Sequence, residues 1–523
     1  MKILVVSQYF WPEYFRVNDL VEELTNNGIE VEILTSYPNY PGGKVFKEFR
    51  DNPKKFKKFN NCKIYRVPQI SRGKGTLSRL TFNYMSFLIC SLFFSFFKLR
   101  KKNYDYVFTF ATSPIIVALT SIFLCKFTKS KHILWVLDLW PNVLNDLNIF
   151  KENTFIYRLF EKIVKFIYSR TDIILCQSLT YKKKIRNISK SFIDKTVYFP
   201  SWPELPSKIK NSSSHDYKSE AISKKKFNLL FTGNIGDAQN FGLVLELVKV
   251  TKDKINWIVA GEGRRFSVLQ NEKKIHSLDN LKLLGLLKFD DLQYYVNKSD
   301  ALLISLKPGQ SFDATIPGKF QTYLNYKKKI FGLIGGEVKD IINKYKIGFA
   351  TNSQDISKLK TDLVRFLSDD LDKKEFENKI NKLNKIFNKQ RNMSKLVNYL
   401  SKIISFKKIN LKFLNDPKKL FFKQNFVLSA FNLAFLGAYA KGQIEINKNF
   451  FIWPDGYYFK KISKLHIDKL PGREFLNQLT IPEEIKDIYI LGNLSKSGKI
   501  YLEEKFKKKI NHVQLPYGEL DDF

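Results

Sequence analysis

The chain predicts an α/β fold of two doubly wound lobes facing each other across a cleft, followed by a smaller α/β appendage. Three observations carry that expectation. Twice, an apolar run of strand length (2–7 and 227–232) breaks into a loop that suits the start of a phosphate-binding unit: Gln8-Tyr-Phe-Trp-Pro-Glu13 and Gly233-Asn-Ile-Gly236. After each loop, strand-length runs alternate with segments of helical period, the pattern of a parallel sheet wrapped by helices. A polar stretch, 203–226, containing Asn211-Ser-Ser-Ser-His215, then separates the two series as a linker.

In the first lobe, 1–202, strands are expected at 2–7, 30–36, 63–68, 104–111, 132–139 and 171–177. Val17, Leu20, Val21 and Leu24 follow i, i+3, i+4, i+7 and define one helix face. Asn26-Asn27-Gly28 closes that helix, because Asn and Gly accept the left-handed conformation past a C-cap. Tyr37-Pro-Asn-Tyr-Pro-Gly-Gly43 is a loop. In the second lobe, 227–405, strands are expected at 227–232, 255–260, 281–286, 300–306, 329–334 and 347–351. Residues 355–405 read as helical, with Leu359, Leu363, Phe366 and Leu367 on one face. The remaining 411–523 has strand-like and turn-like elements of its own.

At 523 residues the chain has room for two or three cores, and 44% apolar content with 15% aromatic residues excludes disorder. Cys62, Cys90, Cys125 and Cys176 are scattered without pairing, which points to a reducing cytoplasm and offers no metal site. The formal charge of +38 fits either a lysine-rich surface or an anionic partner, a membrane or a substrate. No nucleic-acid motif accompanies it, so no nucleic-acid partner is expected. Segment 82–97 is almost wholly apolar and flanked by Arg72, Lys74, Arg79, Lys98, Arg100, Lys101 and Lys102. It is short for a span, and cations at both ends suit a helix lying in an anionic interface. The alternative is an apolar core helix. The expected location is the cytoplasm, peripheral on the inner face of the inner membrane.

Neither lobe carries G-x-G-x-x-G after its first strand, so a nicotinamide or flavin site is unsupported. The Gly233 loop offers small residues and free amides. Gly261-Glu-Gly263 leads into Arg264 and Arg265, either a ligand loop or a plain tight turn. In Thr315-Ile-Pro-Gly-Lys-Phe-Gln-Thr-Tyr323, Pro317-Gly318 starts a helix and Lys319 falls in its first turn. A cation there opposes the helix dipole unless an anion is near. Lys319 is therefore either a diphosphate ligand or one surface lysine among many. Asp138, after an apolar strand, lies at the sheet edge that faces the ligand crevice. It either orients or deprotonates an acceptor hydroxyl, or bonds the turn before Pro141.

Ser7-Gln-Tyr-Phe-Trp-Pro-Glu13, Arg16-Val-Asn-Asp-Leu20, Tyr37-Pro-Asn-Tyr-Pro-Gly42, Asp138-Leu-Trp-Pro141, Tyr198-Phe-Pro-Ser-Trp202, Gly233-Asn-Ile-Gly236 and Ile316-Pro-Gly-Lys-Phe-Gln-Thr-Tyr323 recur in one order. Together they resemble the family-4 retaining glycosyltransferases of GT-B fold, in the WbuB-like (fucosamine transferase) branch, over residues 1–405. The resemblance implies a nucleotide-sugar, usually a UDP-sugar, on the second lobe and a polyprenyl-diphosphate-linked sugar on the first. It implies Gly233, Asn234, Arg264 and Lys319 around the donor, with Glu13, Arg16, Asn18 and Asp138 on the acceptor side. It also implies no metal and no cofactor, because fixed cations and helix amides stabilise the leaving diphosphate. The chain departs from the family at Asn234 and Gln239, where Arg and Lys are common. It departs again in the Glu-x7-Glu pair, where Asp313 and Gln321 have the spacing. Gln321 and Glu337 are carried as further donor-side candidates.

The tail resembles the front half of the WecG/TagA/CpsF glycosyltransferase family, through Asn425-Phe-Val-Leu-Ser-Ala-Phe-Asn432, Ile452-Trp-Pro-Asp-Gly456, Leu470-Pro-Gly-Arg-Glu-Phe-Leu476 and Ile490-Leu-Gly-Asn493. Asp455 matches that family's proposed base and Arg473 its adjacent motif. The later Gly-rich and Gln-Glu segments are missing, so an accessory module is expected. Two other functions stay open: a sugar-nucleotide epimerase of the same fold, and a non-catalytic membrane scaffold.

Overall fold

A computed structural model describes residues 1–204, 221–369 and 372–408, then 427–430, 450–453 and most of 472–513. The chain divides into two compact units, Met1–Ser394 and Lys395–Phe523. Both Rossmann-like lobes lie within the first.

The first lobe is an eight-stranded sheet of β1 (Lys2–Val6), β2 (Glu30–Ser36), β3 (Lys58–Phe59), β4 (Cys62–Val67), β5 (Tyr106–Ala111), β6 (Lys131–Val136), β7 (Ile173–Cys176) and β8 (Thr196–Tyr198). Its order is β3-β4-β2-β1-β5-β6-β7-β8, parallel except for the β3–β4 pair. The second lobe is a six-stranded parallel sheet of β9 (Phe227–Thr232), β10 (Ile255–Ala260), β11 (Leu281–Gly285), β12 (Ala301–Ser305), β13 (Lys329–Leu333) and β14 (Gly348–Thr351). Its order is β11-β10-β9-β12-β13-β14. The short strands β3 and β8 were not expected from sequence. Two and three residues long, they are too brief to carry an alternation.

Strands buried on both faces explain the near-continuous apolar runs. In the second lobe Leu230, Ile258, Leu302 and Ile304 pack into one core, while Leu229, Phe231, Trp257, Val259 and Leu303 pack into the core on the opposite face. Helix Arg16–Asn26 buries Val17, Leu20, Val21 and Leu24, the predicted stripe. In each sheet the strand order reverses once, between β1 and β5 and between β9 and β12. Loops leaving the carboxyl ends of such neighbours splay apart and open a crevice. That geometry brings forward the loops after β1, β5, β9 and β12.

Helix Leu77–Phe94 continues through a π-helical turn, Ser95–Leu99. At 23 residues and a mean hydropathy of 1.6, it is long and apolar enough to cross a membrane by length and composition. One face packs inward through Asn83, Phe87, Leu88 and Ser91, with Asn83 Oδ1 accepting from Gln8 Nε2 at 2.9 Å. The other exposes Phe82, Met85, Ile89, Phe93 and Phe97.

The second unit contains two short parallel pairs, Val427–Ala430 with Phe450–Trp453 and Ile488–Leu491 with Ile510–Val513. Helices Gly472–Gln478 and Lys496–Phe506 accompany them. Arg473 lies on the first of these helices, and Asp455 lies outside the described residues.

Candidate active site

The two lobes are closed on each other by polar contacts from loops and helix ends. Glu337 of the second lobe accepts from Leu179 N (3.2 Å), Thr180 N (2.8 Å) and Thr180 Oγ1 (2.8 Å), capping helix Leu179–Ile188 of the first. Ser178 Oγ donates to Ala314 O at 2.6 Å, and Tyr181 shares a 2.6 Å hydrogen bond with Thr315. Asp146 accepts from Gln310 N at 3.1 Å and Ser311 N at 2.6 Å. Arg264 Nη2 donates to Gly75 O at 3.1 Å.

The loop after β9 interlocks with the loop after β10. Gly261 takes a φ of +145°, and a Cβ there would collide with Gly233 O; one at Gly263 would collide with Ile235 O. Only glycine permits both approaches. The same interlocking corrects the expectation of free amides at Gly233. Gly233 N donates to Ala260 O (2.8 Å), Ile235 N to Glu262 O (2.8 Å) and Gly236 N to Gln239 Oε1 (2.9 Å). Asn234 stays exposed beside Gly236 and Gly263, and Arg264 is exposed on the facing loop.

Helix Gly318–Tyr326 follows β12, with Pro317 as its N-cap. Phe320 N donates to Pro317 O at 2.9 Å, and the amides of Gly318 and Lys319 have no acceptor a turn earlier within the helix. Lys319 folds back beside Gly233, with its Nζ 3.5 Å from the centre of the Phe231 ring. That Nζ is buried and has no hydrogen-bond partner among the described residues. Burial lowers its pKa to about 7, since nothing nearby compensates the charge.

On the first lobe, Asp138 lies two residues past β6. Its Oδ2 accepts from Ser113 Oγ at 2.6 Å, and Ser113 Oγ also accepts from Trp140 Nε1 at 3.1 Å. Burial raises the Asp138 pKa, and the Ser113 hydrogen bonds oppose the rise. Tyr84 lies within electrostatic reach of Arg72, Arg264 and Asp138, so groups of both lobes converge on it. Neither Ser113 nor Tyr84 was singled out from sequence. Ser113 was findable, since it follows β5 at the reversal of strand order. Tyr84 sits on an apolar helix, and only tertiary structure reveals it.

Several expected contacts are corrected. Glu13 does not line an open surface: its buried carboxylate accepts from Phe10 N (3.2 Å), Asn39 N (2.7 Å) and Tyr40 N (2.7 Å). It fixes the loops after β1 and β2 against each other. Asn18 donates to Glu13 O at 2.8 Å and accepts from Trp11 N at 3.2 Å, clipping the same loop. Arg16, expected on the acceptor side, also reaches across to the second lobe: a Cβ at Gly318 would collide with its Nη2. Gln321 is fully buried and donates to Ser201 Oγ at 3.0 Å, on the segment joining the lobes. Glu337 spends its carboxylate on the helix cap described above.

No family model matches the chain. It is similar to WcaI of Escherichia coli strain K12, named as a colanic acid biosynthesis glycosyl transferase, at 22% identity over 62% of this chain and 81% of that one. It is similar to WbjE of Pseudomonas aeruginosa, named as a glycosyltransferase, at 24% identity over 48% of this chain and 63% of that one. Among solved structures, the lipopolysaccharide outer core galactosyltransferase WaaB superposes with a TM-score of 0.51 at 14% identity, covering 78% of this chain and 100% of WaaB. Sucrose-phosphate synthase of Thermosynechococcus elongatus gives 0.57 at 13% identity, covering 77% and 99%. Anabaena HepE, solved with UDP, gives 0.51 at 9% identity, covering 78% and 100%. The fold is GT-B: two Rossmann-like lobes with the cleft between them. The protein is a glycosyltransferase.

Proposed function

We propose that this chain moves a sugar, an N-acetylated amino or deoxyamino sugar, from a UDP-linked donor to a polyprenyl-diphosphate-linked acceptor, with retention at the anomeric carbon, in cell-surface polysaccharide synthesis. One observation carries the donor half: a buried, unpartnered ammonium, Lys319, in the first turn of a helix at the strand-order reversal of the second lobe. An isolated buried ammonium is costly, and a diphosphate beside it would restore the lost charge stabilisation. HepE was solved with UDP, which favours the same nucleotide here. WcaI is named for colanic acid and WaaB for the lipopolysaccharide outer core, which supports the surface-polysaccharide setting. The branch motifs quoted above favour an amino sugar.

In this scheme the bond from the anomeric carbon to the diphosphate breaks as the acceptor oxygen attacks from the same face. The acceptor proton passes to the departing diphosphate oxygen. Lys319, Arg264 and the first-turn amides take up the negative charge, so the scheme includes no metal. Asp138, held by Ser113, orients the acceptor hydroxyl.

The exposed face of the Leu77–Leu99 helix supports a peripheral location on the inner membrane. Phe82, Phe93 and Phe97 are 60–68% exposed, with Lys98, Arg100 and Lys101 at one end. The inward face, with Asn83 bonded to Gln8, favours lying in the interface over crossing it. The test is incubation of purified protein with a panel of UDP-sugars and a polyprenyl-diphosphate-sugar acceptor, read by mass spectrometry. A lipid product one sugar longer is expected. An isomerised nucleotide sugar formed without acceptor would replace the proposal with an epimerase. No nucleotide binding with vesicle binding intact would replace it with a scaffold.

A further inference from the structure

Arg16 is the first residue of helix Arg16–Asn26, on the first lobe, yet its guanidinium sits against the second lobe. Its Nε donates to Trp202 O at 2.9 Å, and its Nη1 pairs with Glu204 at 3.0 Å, both on the segment leaving the first lobe. Its third nitrogen, Nη2, is buried, has no hydrogen-bond partner, and occupies the space a side chain at Gly318 would need. Gly318 is the first residue of the helix whose second residue is Lys319. Two buried cationic nitrogens without a hydrogen-bond partner among the described residues, one from each lobe, therefore belong to side chains at the start of a single helix: Arg16 Nη2 lies against Gly318, and Lys319 is the next residue.

That helix end carries positive charge of its own, about half an elementary charge. Among the described residues Arg16 Nη2 and Lys319 Nζ have no hydrogen-bond partner; Glu204 offsets the guanidinium from its other side, whereas burial leaves the Lys319 charge uncompensated. The helix end and the Lys319 ammonium, shielded from water, cost free energy unless an anion joins them, and Arg16 Nη2 has a donor left over for the same anion. We infer that Arg16 is a ligand of the donor diphosphate contributed by the opposite lobe, so that the diphosphate ties the closed lobes together through Arg16 and the Gly318 helix. The inference rests on the proposed nucleotide-sugar donor and adds to it a specific contact from the lobe assigned to the acceptor. Glycine at position 318 follows from it, because any side chain would displace the guanidinium. Glu204 holds the fork in place and leaves its inner nitrogen unpaired.

Comparing UDP with UMP isolates the contact, because UMP lacks the second phosphate. Both affinities would be measured by calorimetry on the full chain for wild type, Arg16→Ala, Arg16→Gln and Glu204→Gln, with thermal melts alongside. Wild type is expected to prefer UDP to UMP. Arg16→Ala should lose about tenfold or more of that preference, the scale of one charge-assisted hydrogen bond, while UMP affinity stays level. Arg16→Gln, which keeps a donor for Trp202 O, carries the same expectation if the alanine variant fails to fold. Glu204→Gln, which loosens the fork without removing it, should lower the preference by less than Arg16→Ala does. Equal weakening of UDP and UMP in both Arg16 variants would make the residue a hinge peg and overturn the inference, as would an undiminished UDP preference. Failure of the wild type to bind either nucleotide would overturn the donor proposal, and this inference with it.

Discussion

Glu13 and Lys319 are both buried, both ionisable, and both have a pKa brought to about 7 by burial. Their surroundings differ completely. Three backbone N–H groups converge on the Glu13 carboxylate, and Arg66 lies within electrostatic reach. Among the described residues, Lys319 Nζ has the Phe231 ring face beside it and no hydrogen-bond partner. A buried charge whose partners are already supplied by the fold is architecture. One whose partners are missing marks where something else belongs. His132 makes a third point on this scale: its ring nitrogens lie 2.8 and 3.0 Å from the hydroxyls of Thr109 and Thr171, and burial lowers its pKa to about 3. It stays neutral and has no need of a ligand.

The largest contrast should appear on truncation. Glu13→Ala strips acceptors from three buried amides and should cost about 3 kcal/mol or more of stability, read by denaturant unfolding. Lys319→Met, which removes an uncompensated ammonium and keeps most of the stem, should leave apo stability unchanged or slightly raised. Its UDP affinity should fall by about a hundredfold, the scale of a lost buried charge pair. A lysine variant that unfolds as readily as the glutamate variant would erase the distinction between the two groups.

The pH dependence separates them by sign. The Glu13 pKa is raised, so the unfolded chain releases that proton first and stability declines as pH climbs from about 4.5 through 7. The Lys319 pKa is lowered, so its contribution is present above 10.5 and declines as pH falls toward 7. UDP should restore an ordinary lysine pKa. At pH 8, binding should then take up about one proton, measured by calorimetry in buffers of different ionisation heat. Lys319→Met should abolish that uptake, and uptake that persists would assign the proton elsewhere.

The same contrast shows how far the sequence reaches. Both sheets were legible, because strands buried on both faces read as apolar runs between turn residues. The place of Lys319 in the first turn of a helix is legible because Pro317-Gly318 announces a helix start. Glu13 was misjudged, since nothing local says that Asn39 and Tyr40 will aim their amides at it across 26 residues of chain. Gln321 and Glu337 read as donor contacts, but Ser201 takes the Gln321 amide nitrogen and the Leu179 helix takes the Glu337 carboxylate. The contact of Arg16 with the Gly318 helix is not legible from sequence, because its reach depends on how the lobes close. The Gly233 loop reads as a source of free amides, but Ala260 O, Glu262 O and Gln239 Oε1 already engage them. Contacts between distant segments decide each of these, and no periodicity encodes them.

The smallest effect concerns the one group that attends Lys319. The Phe231 ring face attracts a cation, by about 1 kcal/mol at a partly desolvated site, whereas a leucine there would attract only by dispersion. Phe231→Leu should therefore lower the apo Lys319 pKa further below 7. At pH 7 the wild type should take up about half a proton on binding UDP, since the ammonium is already half formed. The variant should take up nearer a whole proton and bind UDP a few-fold more weakly, because more of the binding free energy goes into charging the lysine. At pH 5, where both forms are protonated beforehand, the uptake should vanish in each. Unchanged uptake at pH 7 would mean that the ring supplies packing alone, and that the ammonium waits for its anion with no help from the fold.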